Sequence, residues 1–293
     1  MKIQNTKSLF KKMQITNSIL SSKQKKQLKN KGYIVFKSIP FMKDNVRLMR
    51  SITKQLINKE GHKGGWEGKE KFYKKGKHFE KGTSRLGNLI NKHKIFSKLI
   101  EVPEILKAAH EVIGSNIKVS GLNLRSPLKN AGRQRIHMDW KPRKNKNQKF
   151  AGVVCFVFLD NANKSNGALR LIPGTHKKLG WPEQYTDVMK KHKKEILMSV
   201  RAGTIIVANL NLWHAGSNNK SGKERKMIMI NIKNRKLPQL INYKKYLNSK
   251  VKNNLNDFQK YLLAVRKNDP TQKFDSVGVG KYYKDNFNLK KKG

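Results

Sequence analysis

The sequence is short of acidic residues, cysteine and proline. Its 293 residues include 18 Asp and Glu against 66 Lys and Arg, a formal net charge of +48, with 8 prolines and a single cysteine, Cys155. One cysteine excludes an internal disulfide framework and favours a reducing, cytoplasmic location. The longest apolar run, GVVCFVFL at 152–159, is far below the ~20 residues of a membrane-spanning helix. We therefore expect a soluble globular protein.

The positive charge has two interpretations. A field of this size attracts nucleic acid or an anionic membrane, and the acid-poor start, MKIQNTKSLFKKMQ, has some features of a transit peptide. However, lysine rather than arginine is spread along the whole chain, without an arginine patch or an aromatic ladder for stacking bases. We therefore favour compositional drift and expect no specific nucleic-acid binding. A basic nucleic-acid-binding protein is the alternative.

Periodicity predicts one domain, residues 1–293, in three parts. Residues 1–116 combine a Gly- and Lys-rich segment at 62–85, predicted to be a mobile loop, with helices and the strand YIVFKS. The predicted helices are 21–32, 44–60, 93–101 and 103–113. Short strands separated by turns across 117–233 favour a β-sandwich or barrel of jelly-roll type. Residues 238–293 are predicted to form helices and a basic tail, and we expect a monomer.

A histidine and an aspartate stand two positions apart in RIHMDW at 135–140. His137 and Asp139 follow a strand-like stretch, and residues two apart on a strand point to the same side. They can therefore give two ligands to one metal ion. The same pattern occurs in His78 and Glu80, within the predicted loop.

Two later histidines compete to be the third ligand. His214 lies in NLWHAGSNN, directly after the strand TIIVANL, whereas His176 lies in PGTHKK, between a Pro-Gly turn and two lysines. These neighbours indicate that His176 is an exposed turn residue. We therefore predict that His214 is the third ligand. Two imidazoles and one carboxylate on one face of an iron ion leave three positions open for a co-substrate and O₂.

Arg225 opens the strand RKMIMINI, eleven residues after His214. Most of the positive charge in this chain is lysine, so an arginine at this place is informative. A guanidinium can bind a carboxylate through two parallel hydrogen bonds, which the ammonium of lysine does less specifically. Arg225 is therefore a candidate anchor for a carboxylate ligand.

Three stretches resemble the phytanoyl-CoA dioxygenase family of Fe(II)/2-oxoglutarate-dependent oxygenases. They are RQRIHMDW, FLDNANKSNGALRLIPGTHK and RAGTIIVANLNLWHAGSNNKSGKERKMIMINI, in the family's order and spacing. The resemblance implies a mainly β fold with flanking helices and a double-stranded β-helix (jelly roll, cupin-like) core. It also implies that His137, Asp139 and His214 hold Fe(II), and that Arg225 binds the distal carboxylate of 2-oxoglutarate.

The same resemblance implies a reaction. O₂ and 2-oxoglutarate would be consumed to hydroxylate an unactivated C–H bond of a small molecule or acyl conjugate, with release of succinate and CO₂ and with ascorbate as a possible reductant. The chain departs from the family at Gly203-Thr204, where members often have Gly-Asp. A jelly-roll protein without this activity is a further alternative.

Several other residues are assigned from their predicted positions. Gln134, three residues before His137, is expected to face the co-substrate or the prime substrate. Arg125 and Arg170 are expected to border the cavity and bind an anionic substrate. Trp140 is expected to wall the pocket or to pack in the core. Cys155, with apolar neighbours on both sides, is expected to be buried and unreactive.

Overall fold

The computed structural model describes residues 3–65 and 80–269. His78, most of the predicted loop at 62–85 and the basic tail after 269 lie outside the described residues. Eight α-helices occur in the described part. They are α1 (Thr6–Lys12), α2 (Ser22–Lys31), α3 (Pro40–Glu60), α4 (Lys94–Leu99), α5 (Pro103–Ile113), α6 (Tyr243–Tyr246), α7 (Ser249–Asn253) and α8 (Asp257–Leu262). Within these ranges, no helix has the length and apolar character needed to cross a membrane.

Nine strands form two antiparallel sheets in the described ranges. The strands are β1 (Tyr33–Phe36), β2 (Thr83–Leu86), β3 (Ile117–Pro127), β4 (Gly152–Phe158), β5 (Leu169–Leu171), β6 (Ile196–Met198), β7 (Ile205–Asn209), β8 (His214–Gly216) and β9 (Met227–Asn234). The larger sheet has the order β1-β7-β4-β9-β3-β2, and the smaller has the order β6-β5-β8. This is the predicted mainly β, jelly-roll architecture with flanking helices, and two of its strands come from before residue 117.

The apolar residues of β4 alternate between two cores, because successive side chains on a strand point to opposite faces. One set packs with the helices and consists of Val153, Cys155 and Val157. The other set packs toward the smaller sheet and consists of Val154, Phe156 and Phe158. The larger sheet is therefore covered on both faces, which explains why the sequence of β4 is apolar throughout. Cys155 is fully buried, as predicted.

The N-terminal elements follow their local sequence signals, with one exception. Ser21 caps α2 through a hydrogen bond from the backbone N–H of Gln24, and Gly32 ends the helix with a φ of 83°. This matches the predicted helix, since serine favours the N-cap and glycine tolerates positive φ. The prediction of a loop up to residue 85 is wrong at its end. Residues 83–86 form β2, which pairs with β3.

Candidate metal centre and adjoining cavity

His137 and His214 are joined by their backbones. Each backbone N–H donates to the carbonyl oxygen of the other residue at 2.9 Å, an antiparallel bridge between the segment after β3 and the start of β8. The backbone N–H of Asp139 donates to the carbonyl of Leu210 at 2.8 Å. These bonds hold both segments side by side, so the HxD pair and the later histidine meet although 75 residues separate Asp139 from His214 in the chain.

Both imidazoles are oriented by the same local contact. Nδ1 of His137 lies 3.0 Å from the carbonyl oxygen of Arg135, and Nδ1 of His214 lies 2.9 Å from that of Leu212. A carbonyl only accepts, so each Nδ1 carries the proton and each Nε2 is left with its lone pair. Backbone carbonyls commonly fix metal-binding histidines in this tautomer.

The two free Nε2 atoms face the carboxylate of Asp139. Nε2 of His137 is 3.9 Å from Oδ1, and Nε2 of His214 is 3.7 Å from Oδ2. These separations are too long for hydrogen bonds and suit three atoms around one ion at ~2.1 Å each. Burial, followed by the neighbouring His214, lowers the pKa of His137 to about 4, so its ring is neutral at pH 7 and ready to coordinate. The trio can hold one metal ion.

His176, the competing third ligand, lies elsewhere. Its Nε2 donates to the carbonyl oxygen of Lys29 at 3.1 Å, and its ring packs against Gly32. His176 thus caps the C-terminal end of α2, where backbone carbonyls lack helical partners. The preference for His214 over His176 agrees with this geometry. The expectation that His176 is exposed is wrong, because the residue is almost fully buried.

A cavity of about 540 Å³ adjoins the three candidate ligands. Its lining includes His137, Asp139 and His214. The remaining lining includes apolar side chains, among them Phe156, Leu169, Met227 and Met229, the uncharged polar side chains of Asn123, Gln134 and Asn231, and the four arginines Arg85, Arg125, Arg135 and Arg225. Asp139 is the only acidic residue in this lining among the described residues. The cavity therefore suits a ligand that carries negative charge.

Arg225 is buried in the wall of this cavity with only 1% of its surface exposed. Lys226 points to the opposite side, where its ammonium lies 3.1 Å from Asp160. Nη1 of Arg225 contacts the sulfur of Met227 at 3.4 Å, while Nε has no hydrogen-bond partner and no described carboxylate pairs with the guanidinium. Burial, with the nearby charge of Arg125, lowers the pKa of Arg225 to about 9, so it stays cationic at pH 7.

This unpaired cation fits a ligand carboxylate. A buried charge without a partner is costly, and a carboxylate bound in the cavity would compensate it. The donor set of the trio, two imidazoles and a carboxylate, suits Fe(II). The residues of this chain therefore fit both an iron ion and a dicarboxylate such as 2-oxoglutarate.

A family model, "Phytanoyl-CoA dioxygenase (PhyH)", matches residues 28–227. The chain belongs to this family. Uncharacterized proteins of Mycobacterium bovis and Mycobacterium tuberculosis are each 27% identical to it over 165 residues, which cover 54% of this chain and 56% of theirs. The chain thus aligns with little more than half the length of these curated relatives.

Several solved structures of other proteins have a similar fold. EctD from S. alaskensis with 2-oxoglutarate and 5-hydroxyectoine has a TM-score of 0.61 and 18% identity, over 76% of this chain and 80% of EctD. HygX from Streptomyces hygroscopicus with nickel, 2-oxoglutarate and hygromycin B has a TM-score of 0.57 and 13% identity, over 76% and 90%. The α-ketoglutarate-dependent carbocyclase SnoK has a TM-score of 0.56 and 17% identity, over 74% and 85%. At these identities the likeness establishes the fold.

In this phytanoyl-CoA dioxygenase family member, only some of the other residues assigned from sequence line the cavity. Gln134 and Arg125 line the cavity. Arg170 does not, contrary to expectation, and Trp140 adopts the core packing that the sequence had left open as its alternative. Arg170 pairs with Glu195 at 3.0 Å and donates to the carbonyl of Gln134 at 2.7 Å. Trp140 packs against the core that lies between β4 and the smaller sheet. The ammonium of Lys233 lies 4.2 Å from the centre of the Trp140 ring.

The sequence analysis did not assign Arg85 to the site and considered Glu80 only in its pairing with His78. Arg85 lies directly opposite Arg125 in the β2–β3 ladder, and Glu80 reaches both, with oxygens 3.4 Å from Arg85 Nε and 2.7 Å from Arg125 Nη2. Both residues fell in the segment predicted to be a loop. The scarcity of arginine, which singled out Arg225, was a signal that applied equally to Arg85.

Proposed function

We propose that this protein is an Fe(II)/2-oxoglutarate-dependent dioxygenase that hydroxylates an unactivated C–H bond of a small molecule or acyl conjugate and releases succinate and CO₂. The observation that carries the proposal is the convergence of His137, Asp139 and His214 beside one cavity with the buried, unpaired guanidinium of Arg225. A metal site alone would fit many proteins. The additional cation in the same cavity favours a carboxylate-bearing co-substrate.

Each residue has a defined part in the proposed reaction. His137, Asp139 and His214 would hold Fe(II), with both imidazole rings oriented by backbone carbonyls. Bound iron, together with 2-oxoglutarate and O₂, supplies the oxidising power that C–H hydroxylation needs. Arg225 would bind the distal carboxylate. The apolar side chains of the lining would limit the access of water to the reacting centre.

A metabolite screen with purified protein, Fe(II), ascorbate and 2-oxoglutarate under air tests the proposal. We expect succinate formation to depend on Fe(II) and 2-oxoglutarate and to rise with one class of added compound, whose product gains one oxygen atom by mass. The matched control is Asp139→Ala, which removes the carboxylate from the trio. Absence of 2-oxoglutarate binding by iron-loaded wild-type protein under anaerobic conditions would refute the proposed function.

A further inference from the structure

Arg125 and Gln134 meet on the cavity wall next to the candidate metal centre. Gly216, two residues after His214 on β8, lies between them. A Cβ atom at Gly216 would approach Gln134 Oε1 to 3.0 Å and Arg125 Nη1 to 3.2 Å. The absence of a side chain at Gly216 thus allows both polar groups to reach the same part of the cavity.

The guanidinium of Arg125 is buried but only partly engaged. It is 3% exposed. Its Nε and Nη2 donate to the carboxylate of Glu80 at 2.7–3.2 Å, and Nη2 also donates to the carbonyl of Gly132 at 3.1 Å. None of the hydrogen bonds among the described residues uses Nη1. One edge of this cation therefore stays available to a ligand in the cavity.

The side-chain amide of Gln134 is oriented by a hydrogen bond from the backbone. Its Oε1 accepts a hydrogen bond from the backbone N–H of Gly216 at 3.0 Å, which leaves Nε2 as the free end of the amide. Arg170 fixes the backbone of the same residue through its carbonyl. No described residue accepts a hydrogen bond from Nε2, so Gln134 presents N–H donors alone.

Arg125 Nη1 and Gln134 Nε2 together form a pair of donors without an acceptor, and one of the two is cationic. A pair of this kind on a cavity wall is complementary to an anion with two oxygens, since each oxygen can accept from one donor. Arg125 lines the same cavity as His137 and Arg225, so the pair lies near both the metal centre and the anchor.

The co-substrate does not account for this pair. In the proposed function, Arg225 binds one carboxylate of 2-oxoglutarate and the metal binds the other. We infer that Arg125 and Gln134 bind a carboxylate of the substrate, which places the substrate among carboxylic acids or their close anionic analogues. This inference rests on the proposed function and adds the substrate's chemical class to it.

Binding of matched acids and amides to the loaded protein tests the inference. The probes are octanoate with octanamide and benzoate with benzamide, titrated by calorimetry into anaerobic protein saturated with Fe(II) and 2-oxoglutarate. At least one acid should bind about tenfold or more tightly than its amide, as expected for hydrogen bonding to a charged group. Gln134→Glu keeps the acceptor for Gly216 but replaces the free donors by an acceptor. It should abolish this preference, as should Arg125→Gln.

Two controls separate the possible outcomes. Arg143→Gln removes a buried arginine that does not line the cavity and should keep the preference for acids. The dissociation constant of 2-oxoglutarate should change less than about threefold in Arg125→Gln, well below the effect of a lost charged hydrogen bond. A larger rise would assign Arg125 to the co-substrate and overturn the inference, as would acids that bind no better than amides or not at all. Failure of wild-type protein to bind iron or 2-oxoglutarate would instead refute the proposed function.

Discussion

His137 and His214 exchange both of their backbone hydrogen bonds, at 2.9 Å each. This reciprocal pair makes the two imidazoles neighbours, with ring centres 4.4 Å apart, before any metal is considered. The carbonyls of Arg135 and Leu212 then fix the tautomers. The position of the candidate metal centre is therefore determined by backbone pairing, and its ligand atoms are presented by local side-chain contacts.

The first prediction concerns the third ligand. His214→Ala should weaken Fe(II) binding by more than about 100-fold, because even outer-shell partners of metal ligands contribute about 10- to 100-fold. His176→Ala should leave Fe(II) binding close to that of wild type, since His176 contacts the end of α2 instead. Anaerobic calorimetric titration with Fe(II) measures both, after circular dichroism has shown that each variant is folded. Equal loss in both variants would contradict the assignment.

The second prediction concerns Arg225. Arg225→Gln should raise the dissociation constant of 2-oxoglutarate by the equivalent of about 3 to 5 kcal/mol, because the ligand carboxylate would be buried without its partner. Arg225→Lys should recover part of this loss, since it restores the charge without the two-pronged geometry.

The measurement is anaerobic titration of 2-oxoglutarate into Fe(II)-loaded protein. Fe(II) affinity itself should stay near the wild-type value in both variants, because Arg225 is not among the candidate ligands. If Arg225→Gln binds 2-oxoglutarate as tightly as wild type, the carboxylate anchor lies elsewhere in the cavity.

The third prediction concerns Cys155. This thiol is fully buried on the helix-facing side of β4, and burial raises its pKa well above the usual range. A buried thiol reacts slowly because the thiolate is its nucleophilic form. A thiol reagent added to native protein should therefore label it only on the timescale of unfolding, and labelling should become rapid in denaturant. Rapid, stoichiometric labelling of the native state would contradict this.

The fourth prediction concerns the acid sensitivity of the C-terminal segment. Asp269 accepts hydrogen bonds from Arg235 at 2.6 Å and from Arg266 at 3.0 and 3.1 Å. Burial alone would raise the pKa of Asp269, but the bonds from Arg266 and Arg235 outweigh burial and hold the pKa below its usual range. A carboxyl whose pKa is depressed by folding stabilises the fold above its unfolded pKa of ~3.9 and loses this effect as pH falls through the folded value.

Asp269→Asn should therefore lower the free energy of unfolding at pH 7 by about 1.5 to 3 kcal/mol, the range for hydrogen bonds to charged groups. The difference from wild type should shrink as the pH falls below ~3.9. Urea unfolding at several pH values measures it. Asp257→Asn, at an exposed position at the start of α8, is the matched control and should change little. A pH-independent difference would show that the carboxylate charge is not responsible.

The strands and the ligand residues could be predicted because their signals are local. Each of these signals involves residues that are close together in the sequence. Examples are the alternation of residues along a strand, the Ser21 and Gly32 caps of α2, and the His137–Asp139 pair. The resemblance to the family then ordered these pieces into a jelly roll. The predicted convergence of His137, Asp139 and His214 agrees with their geometry in the structure, whereas their role as iron ligands stays a prediction.

The remaining site depends on long-range placement. Arg170 was expected to border the cavity because of its strand position, yet it pairs with Glu195. For Trp140 the sequence left the cavity wall and the core open, and it packs in the core beneath Lys233. Glu80 and Arg85 were assigned to a loop, yet they join Arg125 at the edge of the larger sheet.

The sequence by itself determined which residue types could form the metal centre and which segments form strands, because periodicity and ligand spacing depend only on residues that are near each other in the chain. Only the tertiary structure decided which side chains share the cavity. Whether Arg125 lies beside Gln134, or Arg225 remains unpaired, depends on strand order and on the twist and register of the sheets. Those are properties of the whole packed chain, in which each contact joins residues far apart in sequence and no local pattern specifies the partner.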